Sequence, residues 1–296
     1  MHTHDHNHNH EDIQNIKVAF FLNLSFTIIE LIGGALTNSM AILSDAVHDF
    51  GDSMSLGLSW YFQKLSKKPK TNTYTYGYKR FSLLGALINS VVLLVGSIII
   101  LVNAVPRLLD PQQPHTKGML ILAVFGVIIN GLAVFRLQHG KSINERVVSL
   151  HLLEDVLGWV AVLIGATVMH FVNAPIIDPI LSIAITIYIL SNVFKNLKQS
   201  MRIILQGSPL KIEADQVEKI LLSHPDIQDI HDLHIWSIDG EYNILTAHLV
   251  LKHTEITYPE GQKIKADIRQ IMQSQGIQHC TIELELPNED CTMLDC

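Results

Sequence analysis

Charged residues are scarce in this sequence. Asp, Glu, Lys and Arg make up only 17% of its 296 residues, against 48% hydrophobic. Mean hydropathy is correspondingly positive, at +0.27. A soluble domain usually carries about 25% charge, so the deficit points to a membrane protein with a soluble portion. The formal net charge is −7, which argues against a nucleic-acid partner. Cysteine is nearly missing: Cys280, Cys291 and Cys296 are the only three, all near the C-terminus. An odd, clustered set suggests thiols in a reducing compartment more than a disulfide framework. The start lacks the charged and apolar regions of a secretory leader. It reads instead Met1-His2-Thr3-His4-Asp5-His6-Asn7-His8-Asn9-His10, expected to be a polar tail able to bind metal loosely. No 20–50-residue repeat is evident, and no His-Glu-x-x-His motif occurs.

What is present is a series of long apolar stretches. Six can span about 30 Å of hydrocarbon: Val18–Leu36, Met40–Phe62, Phe81–Val105, Gly118–Phe135, Val147–Phe171 and Ile176–Phe194. Loop charge orients them. Lys64, Lys67, Lys68, Lys70, Lys79 and Arg80 lie between the second and third. Arg136, Lys141 and Arg146 lie between the fourth and fifth, and Lys195, Lys198 and Arg202 follow the sixth. The opposite side holds only Arg107 and Lys117. The positive-inside rule then predicts that both termini are cytoplasmic.

Within those stretches one pattern occurs twice. His48-Asp49-Phe50-Gly51-Asp52 lies in the second and His151-Leu152-Leu153-Glu154-Asp155 in the fifth. A spacing of four puts His and Asp one turn apart on the same helix face. A lone polar residue there usually bonds a neighbouring helix. Two matching pairs point instead to a metal site, because ionisable groups in lipid are costly. Two imidazoles and two carboxylates suit tetrahedral Zn²⁺, and two Asp neutralise it. Asp45, Asp49 and Glu154 flank the pairs as candidate proton or access residues; hydrogen-bonded groups lining a wet cavity are the plainer reading. Glu30 and Asp178 are further carboxylates in the first and sixth stretches. Trp159 and Tyr188 read as packing residues.

From about Gly207 the pattern turns soluble. Ile212–Ser223 reads as an amphipathic helix, and Ile230–Ile238 and Asn243–Leu251 as strands joined at Asp239-Gly240. Pro259–Ser274 reads as a second helix and Gln278–Leu286 as a third strand. This order makes a small open-faced α/β sandwich. His231, His248, Glu285, Cys291 and Cys296 could converge there on a second zinc site.

These residues resemble the cation diffusion facilitator family of the CzcD and ZnT type, over nearly the whole chain. The resemblance rests on Ser44-Asp45-Ala46-Val47-His48 through Asp52, on Tyr76-Gly77-Tyr78-Lys79-Arg80-Phe81, and on His151 with Asp155. Asp178-Pro179 and His231-Asp232-Leu233-His234-Ile235-Trp236 complete it. It implies an α-helical membrane protein with six transmembrane helices and a cytoplasmic α/β domain, ferredoxin-like and metallochaperone-like. The implied parts are a tail over 1–15, a transmembrane domain over 16–205 and a metal-binding dimerisation domain over 207–296. The implied activity is that of a homodimer in a prokaryotic inner membrane, not an enzyme, exporting Zn²⁺, with Co²⁺ or Cd²⁺ as further cargoes, in exchange for protons. His48, Asp52, His151 and Asp155 would form the transport site, and His rather than Asp at 48 resembles zinc-preferring members. Two departures stand out. Ser82 replaces a frequent Glu, and the loop between the fourth and fifth stretches is short, with only His139. Rival readings are an intramembrane zinc hydrolase, with Glu154 as its base, and a membrane-bound zinc sensor. The first lacks its motif, and the second leaves the intramembrane pairs unexplained.

Overall fold

The computed structural model describes residues 8–137, 143–287 and 289, with backbone alone for 8–19, 63, 133, 136–137 and 143–152. His2, His4, His6, His139, Cys291 and Cys296 therefore lie outside the described residues. The chain forms two compact units, 1–62 with 85–197 and 63–84 with 198–296.

The first unit is helical. Its elements are α1 (His8–Thr37), α2 (Met40–Ser66), α3 (Phe81–Ala104), the single turn α4 (Pro106–Leu109), α5 (Thr116–Leu137), α6 (Ile143–Phe171) and α7 (Ile177–Ile204), the last running on into the second unit. Each expected apolar stretch becomes one long helix. Among the described residues, four helical stretches are long and apolar enough to cross a membrane: Phe20–Thr37, Phe81–Leu109, Leu153–Phe171 and Ile177–Ile204. The apolar part of α5 is shorter, Thr116–Leu132, and α2 carries Asp45, Asp49 and Asp52 close together. α1 starts well before the apolar stretch, at His8. Once a helix is nucleated, each added residue gains a hydrogen bond for little further cost.

Polarity in this unit is inverted relative to a soluble bundle. Leu22, Ile99, Leu132 and Phe171 are exposed, whereas Thr27, Glu30, Ser44, Asp45, Asp49, Asp178, Ser182 and Thr186 are buried. Such a surface suits hydrocarbon, and the carboxylates gather where protein surrounds them. Trp159 of α6, 1% exposed, anchors a core with Phe26, Ile42, Met119 and Val162. Its indole fills the space beside Gly126 of α5, where a Cβ would collide with the ring. Trp159 follows Asp155 by one turn, so this contact helps to hold the acidic turn of α6. Gly126→Val should therefore lower the thermal midpoint in detergent, by an overpacking cost of about 1–3 kcal/mol. An unchanged midpoint would show that the indole moves aside freely.

The second unit contains α8 (Ala214–Leu222), β1 (Ile227–Ser237), β2 (Asn243–Leu251), α9 (Tyr258–Ser274) and β3 (His279–Glu285). The order matches the sequence expectation, with ends shifted by up to three residues. β1 pairs antiparallel with β2, and β2 pairs parallel with β3, in the order β1-β2-β3. Val217 and Leu221 of α8 and Ile264, Ile268 and Met272 of α9 close a core with Ile235, Leu245, Leu249 and Ile282 of the sheet. Gly240 turns the β1–β2 connection at φ +97°, a region glycine enters without Cβ strain. Asp239 Oδ1 accepts the amides of Glu241 and Tyr242 there.

The segment between α2 and α3 joins this unit. Lys79 Nζ lies 3.3 Å from the centroid of the Tyr242 ring, a cation–π contact. The rings of Tyr76 and His279 meet edge-on. Tyr76 and Lys79 of the Tyr-Gly-Tyr-Lys-Arg-Phe run thus pack against β3 and the residue preceding β2.

Cys280 is half-buried on β3 beside the core. Burial pushes its thiol up to about 11, with Arg269 opposing. The thiolate is the reactive form, so alkylation of Cys280 at pH 8 should run about 100-fold slower than in the unfolded chain. Mass spectrometry of that peptide checks it; equal rates would mean that the strand opens readily.

Candidate metal centres

Two places in the described residues bring metal-binding side chains together. In the helical unit, α2 supplies His48 and Asp52 and α6 supplies Asp155. Each offers one donor atom, all within 4.8 Å of one another. His48 Nε2 is 3.8 Å from Asp52 Oδ2 and 3.9 Å from Asp155 Oδ1. Those gaps exceed hydrogen-bond length. Donors around a tetrahedral zinc with bonds of about 2.0–2.2 Å stand about 3.3 Å apart, so the cluster closes on an ion with a small inward movement. His151 lies on α6 four residues before Asp155, and its side chain falls outside the described part.

The surroundings are acidic. Asp45 and Asp49 are each 5% exposed, and Glu30 of α1, at 1%, lies close to both. The sequence signals Glu30 only as a carboxylate in the first apolar stretch. Asn23 of α1 donates to the Asp49 carbonyl at 3.1 Å and to Ser53 Oγ at 3.0 Å, tying α1 to α2 beside the cluster. Glu154 goes elsewhere. It is exposed and accepts a hydrogen bond from Tyr188 Oη at 2.9 Å, across to α7. The side chains at 154 and 155 diverge because adjacent helical residues point about 100° apart. Glu154 is thus hydrogen-bonded and outside the three-donor group, and Tyr188 does more than pack.

The second centre is on the sheet. The register places His231 opposite His248, and His248 opposite Glu283. His231, His248 and Glu285 each present a donor atom within 4.8 Å of the others. His248 Nδ1 is 2.5 Å from Glu285 Oε1, and His231 Nε2 is 3.2 Å from Glu285 Oε2. The His231 nitrogen is buried and, despite that proximity, makes no hydrogen bond of proper geometry. A buried, unsatisfied imidazole nitrogen next to a buried carboxylate fits a bound cation, and two His with one Glu suit zinc. Two further carboxylates of the same ligand-rich stretch stand near: Asp232 at 3.7 Å and Glu283 at 3.6 Å from His248 Nε2. Glu283 follows from strand pairing. Asp232 is brought round by an irregularity between His231 and His234, where its φ is +50°, which no alternation pattern signals. His234 bonds Asp232 at 2.7 Å, half exposed. His279 packs on Tyr76 and Cys280 on the core, so neither joins the site.

Comparison with known proteins divides the chain in a similar place. Residues 16–205 match the cation efflux transmembrane domain, and residues 209–286 match the cytoplasmic domain of cation efflux proteins. The chain is 35% identical over 274 residues to the cadmium, cobalt and zinc/H(+)-K(+) antiporter of Bacillus subtilis, covering 91% of this chain and 88% of that one. It is 33% identical over 288 residues to the metal cation efflux system protein CzcD of Cupriavidus metallidurans, covering 96% and 90%. It is 29% identical over 303 residues to the zinc transporter ZitB of Escherichia coli, covering 100% and 94%.

Proposed function

The chain belongs to the cation diffusion facilitator family, whose members are cation transporters and not enzymes, and from that premise we propose that it exports Zn²⁺ from the cytoplasm in exchange for protons. It is a multi-pass membrane protein of metal-cation efflux. The observation that carries the zinc reading is the meeting of His48, Asp52 and Asp155 from two helices inside an apolar unit. His151 would complete the shell from one turn away on α6. Four protein donors leave no open position for an attacking water, which disfavours the hydrolase reading.

Proton exchange follows from the donor chemistry. Zinc needs neutral imidazole and ionised carboxylate, so each proton taken up by the site competes with the ion. Free imidazole titrates at about 6.5, near working pH. A site facing the cytoplasm would lose protons and take zinc; facing the other side, it would be reprotonated and release it. Asp45 and Asp49, buried beside the ligands, are suited to carry protons through that exchange.

The finer organisation is part of the same reading: six spans, with α2 and α5 crossing because their polar groups face protein; both termini cytoplasmic; domains at 1–15, 16–205 and 207–296; and a homodimer through the cytoplasmic domain. His231, His248 and Glu285 would hold a resident Zn²⁺ there, fastening three strands to one another, with Cys291 and Cys296 as further donors from the tail. Relatives named for cadmium and cobalt make those ions further cargoes.

Zinc uptake into inside-out vesicles tests the central claim. Uptake should accelerate when the lumen is acid and stop when the gradient is collapsed. Uptake indifferent to the gradient would exclude proton exchange, and absence of uptake would exclude transport.

A further inference from the structure

α2 carries half of the transport site but lacks an acidic residue in its first turn. The free amides at a helix start need acceptors, and hydrocarbon supplies none. α1 and α2 meet in a tight corner. Asn38 adopts φ +54°, and the Asn38 and Ser39 amides bond back to Ala35 and Gly34, an αL ending of the Schellman type. Ser39 then caps α2, its Oγ accepting the Ile42 amide at 3.2 Å. The two preceding amides are taken by another helix. Asp178, in the first turn of α7 and 1% exposed, accepts from Met40 N at 2.7 Å and Ala41 N at 3.3 Å. It also accepts from Ser39 Oγ at 2.6 Å. The corner is braced by Arg107, which donates to the Asn38 carbonyl and Oδ1, each at 3.0 Å.

The seam continues toward the metal ligands. Asp178, Ser182 and Thr186 share one face of α7 at spacings of four. Ser182 Oγ lies 2.5 Å from Ser44 Oγ, and Thr186 Oγ1 donates to Ser44 Oγ at 3.4 Å. Ser44 precedes His48 by one turn.

We propose that Asp178 is a positioning residue of the transport site, capping α2 from α7 and so setting the tilt and rotation at which His48 and Asp52 meet Asp155. This rests on the reading that those residues bind the cargo. The lever is long: His48 is nine positions beyond Ser39, roughly 13 Å at about 1.5 Å per residue. A tilt of about 5° at the capped end therefore moves the imidazole about 1 Å. Zinc–ligand distances tolerate only about 0.2 Å. Losing the cap should thus weaken metal binding more than it slows the later steps of transport.

The test is zinc flux against zinc concentration for the full chain in proteoliposomes, normalised to folded protein, with His48→Ala as a control. In Asp178→Ala the half-saturating zinc concentration should rise about 10- to 100-fold, the range for residues that orient ligands. Asp178→Asn, which keeps one acceptor oxygen, and Ser39→Ala should show smaller rises, and turnover at saturating zinc should change less than half-saturation. If Asp178→Ala does not fold, the two milder variants decide. Wild-type half-saturation in both would overturn the proposal, as would a loss confined to turnover. Wild-type flux in His48→Ala would instead overturn the site assignment on which it rests.

Discussion

His48→Ala and Asp155→Ala should each abolish zinc transport while the protein still folds. Mutating a residue that merely orients a metal ligand costs about 10- to 100-fold, so losing a ligand should cost more than about 100-fold. The two act through different helices, and each removes one donor from a shell with few donors. Folding should survive because neither side chain fills the apolar core; the helices are held by contacts such as Trp159 with Phe26 and Ile42. Asp155→Ala goes further. It removes one of several carboxylates crowded near Asp45, so in zinc-free buffer its thermal midpoint should equal or exceed that of the parent. Flux at the parental rate in either variant would end the assignment. A collapsed midpoint would mean that the cluster is structural.

Zinc should also raise the melting temperature of the isolated unit from Gly207 onward, which has its own core. An ion that binds only the folded form stabilises by mass action, about 2.7 kcal/mol at a hundredfold excess over its dissociation constant. For a domain of this size that is a shift of about 10–20 °C. His248→Ala should erase most of the gain, because His248 lies between β1 and β3 and touches the other donors. Cys291→Ser measures what the tail adds. Protons compete with zinc for the imidazoles, so the gain should shrink as the pH falls. A midpoint that ignores zinc would remove the cytoplasmic site and leave the intramembrane one intact, since the two share no residue.

Local patterns carried much of this structure. Each apolar stretch was readable because a helix in lipid must be apolar over a known length. The strands of the second unit alternated as half-buried strands do, and Asp239-Gly240 marked their turn. His48 with Asp52, and His151 with Asp155, stood out because four residues is one helical turn. His231, His248 and Glu285 stood out as ligand types on alternating strands. Contacts of another kind were not legible. The bond of Glu154 to Tyr188 and the approach of Asp232 through a strand irregularity depend on neighbours that local periodicity does not see.

Sequence alone therefore determined the class of protein, the helical and strand segments, the family, and which residue types recur at metal-ligand spacing, because composition, period and spacing are local quantities. Only the tertiary structure decided that α2 and α6 bring His48, Asp52 and Asp155 together, and that Glu30 of α1 joins the acidic cluster. It alone attached the Tyr76–Phe81 segment to the sheet and closed the start of α2 with Asp178, 139 positions from Ser39. The physical reason is the same in each case. An unpaired amide or carboxylate inside a protein must find its partner in space, and sequence separation places little limit on where that partner lies.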